Sequence, residues 1–318
     1  MTILFTMVLS FIGLIWSANH LVTAAFGIAS HYRISPLIMG LTLVAIGTSS
    51  PTLMVAITAA IEGRTELAIG NAIGANIANI GLVLSLTILF KPLTIKSSIL
   101  RREFPILLVI MLFTYSLILN GHLSIVDGCL FLSGCVALIG YFVHLAKHRK
   151  SDALSKEFKK SIIIRRPMKA NIISLNLGLI ILPLSSYFLV DSTTEIALKL
   201  GMSELVMGLT LIAIGLCIPN IVASMIAAYK GYDDIAIGNI LGANMFNLLV
   251  VMAFPGIINP SVVNNHLLFR DIPVMFIITL VLLFISYNSK HKIERKHGGL
   301  LLLIYCCYMA SLIFNAAT

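Results

Sequence analysis

Two short stretches of the sequence place a glycine and, four residues later, a proline inside otherwise apolar segments, and the first stretch also contains three hydroxyl residues. They are Gly47-Thr-Ser-Ser-Pro51 and Gly215-Leu-Cys-Ile-Pro219. A proline inside a helix removes one amide donor and clashes with the carbonyl one turn before it. Freed carbonyl oxygens can coordinate a cation where they line a cavity. The pattern predicts helix breaks at Gly47, Pro51, Gly215 and Pro219 that contribute to a cation site. The alternative is a plain proline kink in a packed helix.

Asparagine is the second polar residue type in these apolar segments. Six amides follow the two stretches: Asn71, Asn76, Asn79, Asn239, Asn244 and Asn247. Spacings of five and three residues place each set of three on one broad face of a helix. A buried amide must be paired, and asparagine pairs well between helices in a membrane. The amides therefore predict either cation ligands or hydrogen bonds between helices, and the two roles are compatible.

Carboxylates are missing from the same region. All 13 acidic residues lie in loops or near predicted helix ends. The sequence also contains no nucleophile–base arrangement, no phosphate-binding loop and no cysteine–histidine cluster with metal spacing. We therefore expect a protein that is not an enzyme, that needs no cofactor and whose polar centre is built from neutral oxygens.

The composition is that of a membrane protein. Of 318 residues, 58% are hydrophobic and 11% are charged, against about 25% charged residues in soluble domains. The five cysteines fall inside apolar segments, which excludes an extracellular disulfide scaffold. A protein of this composition has the lipid bilayer as its partner.

Ten segments are long and apolar enough to cross a bilayer, which requires about 20 residues each. They are residues 3–28, 35–61, 66–90, 104–120, 126–146, 172–190, 203–229, 233–256, 272–287 and 299–316. A basic stretch divides them, so the predicted organisation is a first five-helix unit (1–146), a linker (147–171) and a second five-helix unit (172–318). The fold class is all-α.

The basic residues indicate the orientation. With both termini outside, all but three of the 22 lysines and arginines lie in cytoplasmic loops, the exceptions being Arg64, Lys199 and Arg270. The net charge of +9 is then a topology signal and an attraction to anionic lipid, which argues against nucleic-acid binding.

The two units repeat each other. Gly40-Leu-Thr-Leu-Val-Ala-Ile-Gly47 reappears as Gly208-Leu-Thr-Leu-Ile-Ala-Ile-Gly215, an offset of 168 that also pairs the prolines and the asparagines above. Because each unit has an odd number of helices, the second crosses the membrane in the opposite sense. Inverted repeats with interrupted helices are typical of secondary transporters, whose sites lie near the midplane.

The repeated motifs resemble those of the calcium/cation antiporter superfamily, the sodium/calcium exchangers, and are most similar to the bacterial ten-helix branch. That family has Gly-Thr-Ser-x-Pro-Glu in each repeat, followed by a motif of glycine, asparagine and serine. The resemblance implies antiport of cations by alternating access, in the plasma membrane and specifically the bacterial inner membrane. It covers nearly the whole chain.

The family's ligands carry over only in part. Its calcium-binding glutamates fall on Thr52 and Asn220, and the threonine and serine of the second motif fall on Leu216 and Cys217. Backbone carbonyls need no particular side chain. The candidate cation-binding residues are Ala45, Thr48, Ser49, Thr52, Asn76, Asn79, Ala213, Leu216, Cys217, Asn220, Asn244 and Asn247.

The missing glutamates change the expected ion. Calcium takes about six to eight oxygens, usually with carboxylates among them, so calcium transport is not expected here. Neutral oxygens suffice for a monovalent cation, which favours sodium or potassium as the inorganic cation. The alternative is a non-transporting membrane relative with a structural or interaction role. The sequence does not determine the oligomeric state.

Overall fold

The computed structural model describes residues 2–32, 34–95, 97–148, 167–199, 213–288 and 292–317. Within these ranges the chain forms ten helical segments. They are α1 (Thr2–Tyr32), α2 (Pro36–Ile61), α3 (Thr65–Phe90), α4 (Ser97–Ile118), α5 (Ile125–His148), α6 (Met168–Lys199), α7 (Ala213–Tyr229), α8 (Asp233–Ile258), α9 (Leu267–Asn288) and α10 (Arg295–Ala317). The centre of the basic linker and residues 208–212 of the repeated motif lie outside the described residues.

The fold class predicted from composition is confirmed as all-α and membrane-bound. Seven described helices are long and apolar enough to cross a bilayer, and a shorter apolar segment covers Gly215–Tyr229 of α7. The ends of α4 and α6 differ most from the expected ones: α4 begins at Ser97 and α6 continues to Lys199. Charged residues at these ends lower the local hydropathy without interrupting the helical backbone. A helix predicted from hydropathy alone is therefore shorter than the observed one.

Three of these helices contain internal π-helical segments, and a fourth helix begins with one. The segments are Gly40–Val44 in α2, Asn79–Leu84 in α3, Asn247–Val251 in α8 and Leu267–Asp271 at the start of α9. The segments in α3 and α8 each begin at an asparagine, and these two asparagines are paired by the sequence repeat. A π segment inserts a residue into a turn and is often found at functional sites.

The α2–α3 and α7–α8 connections have the same backbone turn. Gly63 lies at φ 76° in the first turn and Gly231 at φ 78° in the second. This left-handed conformation is open to glycine at little cost. The repeat in sequence is therefore accompanied by a repeat in local structure.

Two antiparallel ribbons connect the first unit to the second. Strand β1 (Leu93–Thr94) pairs with β4 (Lys292–Ile293), and β2 (His122–Leu123) pairs with β3 (Ser261–Val262). Each ribbon joins a loop that precedes the linker to a loop that follows it. Two-residue strands have no periodic pattern, and the sequence did not indicate them.

The core of the molecule is formed by α3 and α8. In their apolar spans 67% and 78% of the residues are buried, against 33% in the spans of α1 and α6. Glycines bring α8 close to α2, since a Cβ on Gly238 would lie 2.6 Å from the Leu37 carbonyl oxygen. The helices that carry the candidate site are therefore central, and α1 and α6 are peripheral.

Candidate functional site

The predicted break at Gly47 and Pro51 is not observed. Residues Ala45–Ile61 form a continuous α-helix that contains Pro51. The carbonyl that Pro51 cannot pair is that of Gly47, and it accepts a hydrogen bond from Ser50 Oγ at 2.8 Å. A side chain thus replaces the missing amide, and the irregular backbone of α2 lies earlier, at Gly40–Val44.

The corresponding break at Gly215 and Pro219 is also wrong for the described part of α7. The helix Ala213–Tyr229 runs through Pro219 without interruption. Ile218 occupies the position equivalent to Ser50, so the hydroxyl that caps the Gly47 carbonyl has no equivalent in α7. Both helices contain the proline, but only α2 has a hydroxyl at the position that pairs the carbonyl oxygen left free by it.

The predicted site residues with described side chains are buried. Thr48, Ser49, Asn76, Asn79 and Asn247 are fully buried, and Thr52, Cys217, Asn220, Asn244 and Leu216 are between 1% and 8% exposed. Ala45 is buried at the start of the α-helical part of α2, and Ala213 is described only as the first residue of α7. Leu216 and Cys217 supply no oxygen from their side chains.

Five of the predicted residues form one hydrogen-bonded amide network. Asn79 donates to Asn244 Oδ1 at 2.9 Å, and Asn247 donates to Asn76 Oδ1 at 3.2 Å. Asn220 joins the network by donating to Asn79 Oδ1 at 3.1 Å. Asn244 Nδ2 connects the two pairs by donating to the backbone carbonyl of Asn76 at 3.4 Å. The network links α3, α7 and α8, so the predicted role of the amides in pairing helices is observed.

A second polar chain connects α2 to α7 through α8. Thr48 Oγ1 donates to Asn239 Oδ1 at 2.8 Å, and Asn239 Nδ2 donates to Ser224 Oγ at 2.9 Å. All three side chains are fully buried. Asn239 was one of the six amides named from the sequence, but it was not among the candidate cation-binding residues. No pattern in the sequence indicated a role for Ser224.

Three buried oxygens in this region have no hydrogen-bond partner among the described residues. They are Ser49 Oγ, Asn220 Oδ1 and Asn247 Oδ1. They belong to α2, α7 and α8, which pack against one another. A buried oxygen without a partner costs about 1–3 kcal/mol. Such atoms in a polar centre are available to a desolvated cation.

In the described part of the chain, several carboxylates form ion pairs away from the amide network. Asp233 pairs with Lys91, Asp271 with Arg270, and Glu294 with Lys296. In the α9–α10 loop, the hydrogen bond and positive charge of Lys296 lower the pKa of Glu294. The hydrogen bonds described for the amide network go only to amides, a backbone carbonyl and the Met275 sulfur. The described residues hold no group of three or more acidic, histidine or cysteine side chains suited to a metal.

Comparison with known proteins identifies the family. The model of the sodium/calcium exchanger protein family matches residues 2–144 and 170–314. CaxA of Alkalimonas amylolytica is 42% identical over 298 residues, which are 93% of each chain. The inner membrane protein YrbG of Escherichia coli (strain K12) is 35% identical over 290 residues, 90% of this chain and 89% of that protein. The chain belongs to the sodium/calcium exchanger family.

The fold is that of a solved exchanger. The sodium-calcium exchanger NCX_Mj, in crystals soaked with 2.5 mM Na⁺ and 10 mM Sr²⁺, matches with a TM-score of 0.82 and 27% identity over 98% of each chain. This chain is thus a secondary transporter, a cation antiporter and not an enzyme, as the sequence predicted. It is a protein of the bacterial inner membrane.

Proposed function

We propose that this antiporter carries a monovalent cation, sodium or potassium, through a site of neutral oxygens between α2, α3, α7 and α8. The observation that supports it is the group of buried oxygens without partners, Ser49 Oγ, Asn220 Oδ1 and Asn247 Oδ1. Thr48 and Thr52 add hydroxyls on the same helix as Ser49. The cation would be cargo, and no resident cofactor is required.

The charge of the ion sets the desolvation cost that the site must offset, and this cost differs between sodium and calcium. Moving a monovalent ion from water into a medium of dielectric constant near 4 costs on the order of 20 kcal/mol. The same cost grows with the square of the charge, so a divalent ion needs several times more compensation. Amide and hydroxyl dipoles offset part of the cost for a single charge. Thr52 and Asn220, at the family's glutamate positions, supply no negative charge to offset a second.

Relatives support cation exchange as the general activity. MaX1 of Methanosarcina acetivorans, named a sodium/calcium exchanger, is 28% identical over 97% of each chain. The NCX_Mj structures are described as following extracellular ion exchange with Na⁺, Sr²⁺ and Ca²⁺. This chain would keep that alternating-access scaffold and use it for a different ion, because its central side chains are neutral.

We also propose the full topology: ten crossings in two inverted repeats, 1–146 and 172–318, with the 147–171 linker in the cytoplasm and both termini outside. Contacts between loops support it. The β1–β4 ribbon and the Lys91–Asp233 pair join loops that this topology places inside. The β2–β3 ribbon and the Thr65–Asn259 hydrogen bonds join loops that it places outside.

Ion flux into proteoliposomes tests the proposed function. We expect sodium or potassium to exchange across the membrane with calcium absent, and no calcium uptake driven by an outward sodium gradient. Asn220→Leu should reduce the monovalent flux, because it removes an oxygen that has no partner in the described site. Sodium-dependent calcium uptake by the unmodified protein would show that neutral oxygens suffice for a divalent ion. Absence of all flux from folded protein would favour a non-transporting relative.

A further inference from the structure

Helices α1 and α6 form a peripheral pair that packs antiparallel along much of its length. A Cβ on Gly13 would lie 2.7 Å from Ser185 Oγ, and a Cβ on Gly178 would lie 2.9 Å from Leu21 Cβ. Further along the pair, a Cβ on Gly27 would lie 2.6 Å from the Asn171 amide. The outer faces of both helices carry exposed apolar side chains, which suit lipid. Their attachment to the central helices therefore sets how freely the pair moves.

One end of α1 is attached to the α7–α8 turn by two side-chain contacts. Lys230 Nζ donates to Thr23 Oγ1 at 2.5 Å. Two residues later in the turn, the Tyr232 ring stacks on the Phe26 ring with centroids 3.9 Å apart and planes 7° apart. All four residues are partly buried. The attachment lies at the end of α1 that the proposed topology places in the cytoplasm.

The α7–α8 turn is itself held to the loop after α3. Lys91 Nζ donates to the Ala228 carbonyl and lies 3.6 Å from Asp233 Oδ1. Asp233 Oδ2 also accepts a hydrogen bond from the Thr94 amide at 3.1 Å. These contacts attach the turn that holds α1 to the loop after α3, and so to the central part of the molecule.

The repeat offset identifies the positions that would make the same attachment at the outer end. They are Glu62 for Lys230, Asp191 for Thr23, Arg64 for Tyr232 and Thr194 for Phe26. Glu62 and Asp191 are both acidic and exposed, and Glu62 lies 3.7 Å from Arg64 within its own turn. The chemistry that attaches α1 inside is therefore absent from these outer positions.

We propose that the Lys230–Thr23 and Tyr232–Phe26 contacts form a latch that favours the state closed to the cytoplasm. Opening of the inner side requires α1 to leave the α7–α8 turn, which breaks both contacts. Both contacts are lost only when the inner side opens, so they lower the population of the state open to the cytoplasm. The inference rests on alternating access, which is part of the proposed function, and it is independent of which ion is carried.

Cys217 provides the test, because it is buried beside the candidate site in α7. The other cysteines (Cys129, Cys135, Cys306 and Cys307) are replaced by serine, and a membrane-impermeant maleimide is added to one side of sealed vesicles. Lys230→Met and Phe26→Leu should each raise the labelling rate from the cytoplasmic side by about threefold or more, and lower it from outside. Tyr229→Ala is the matched control, since this tyrosine, the last residue of α7, adjoins the turn and is 75% exposed.

Unchanged labelling from both sides in Lys230→Met and Phe26→Leu would overturn the latch. Lys230→Arg keeps a donor and should restore the parental rate, which separates loss of the contact from loss of folding. Hydrogen exchange of residues 20–32 gives a second measurement, and these amides should exchange faster in the two latch variants. If the latch variants shift the labelling rate but the protein transports no monovalent ion, the latch is supported and the proposed ion is rejected. Failure of the latch and failure of the proposed function are therefore distinguishable.

Discussion

Asn79 on α3 donates its amide to Oδ1 of Asn244 on α8 across 2.9 Å. The bond from Asn247 to Asn76 is its counterpart, because the repeat offset converts each residue of one pair into a residue of the other. Asn244 Nδ2 also lies 3.4 Å from the carbonyl of Asn76, its own counterpart. The centre of the molecule is thus a pair of equivalent bonds between the two units.

Double-mutant cycles to alanine test this equivalence. The Asn79/Asn244 and Asn76/Asn247 pairs should each give a coupling free energy of about 0.6 kcal/mol, and at most about 1.7 kcal/mol. The reason is that both pairs make the same amide bond at the same depth. Thermal unfolding in detergent measures the coupling. Asn71/Asn244 is the control pair, since Asn71 donates to the Thr52 carbonyl instead, and a coupling there as large as in the others would argue against the assignment.

Restoring both glutamates should create calcium binding. Thr52→Glu with Asn220→Glu supplies two carboxylates at positions that are 2% and 3% exposed. We expect calcium affinity to rise by at least about tenfold, or 1.4 kcal/mol, in titration calorimetry. The control is Thr52→Gln with Asn220→Gln, which adds similar volume without charge. Equal affinity in the two double variants would mean that the lost charge is not what excludes calcium.

Replacing Ser50 tests the repair of the helix at Pro51. Ser50→Ala leaves the Gly47 carbonyl without its hydroxyl donor and should lower the free energy of unfolding by about 1 kcal/mol. Ser116→Ala is the control, because Ser116 makes the same type of bond to the Phe113 carbonyl at 2.8 Å in a helix turn without proline. There the backbone amide four residues on already pairs the carbonyl, so little change is expected. Thermal unfolding of both variants measures the difference.

The contact between α2 and α8 should be intolerant of any side chain at Gly238. Gly238→Ala would place a Cβ 2.6 Å from the Leu37 carbonyl oxygen, and backbone atoms cannot rotate away. We expect a loss of about 1–3 kcal/mol or more, seen as a lower melting temperature. Gly299→Ala in α10 has no atom within 4 Å of the new Cβ. A similar loss in Gly299→Ala would show that the effect is not due to this contact.

Much of this architecture could be predicted from the sequence, because long apolar segments and a gapless repeat are strong signals. The bounds of α2, α3 and α8 agree with the expected ones to within two residues. The π segments and the repair of Pro51 by Ser50 were not predictable, since they depend on packing and on one rotamer. The sequence indicated a set of buried amides, but which amide bonds which depends on helix rotation. The roles of Asn239 and Ser224 in the Thr48 chain followed only from that geometry.

The two ribbons have a consequence for how the units hold together. Each is an antiparallel strand pair with one strand from before the linker and one from after it. Together with the amide bonds at the centre, they join the units at three separate places, so we expect their association not to depend on the peptide bonds of residues 147–171. In the proposed topology, the molecule corresponds to a dimer of two related subunits that are inserted in opposite orientations and encoded as one chain. Cleavage of the linker should therefore leave two fragments that purify together.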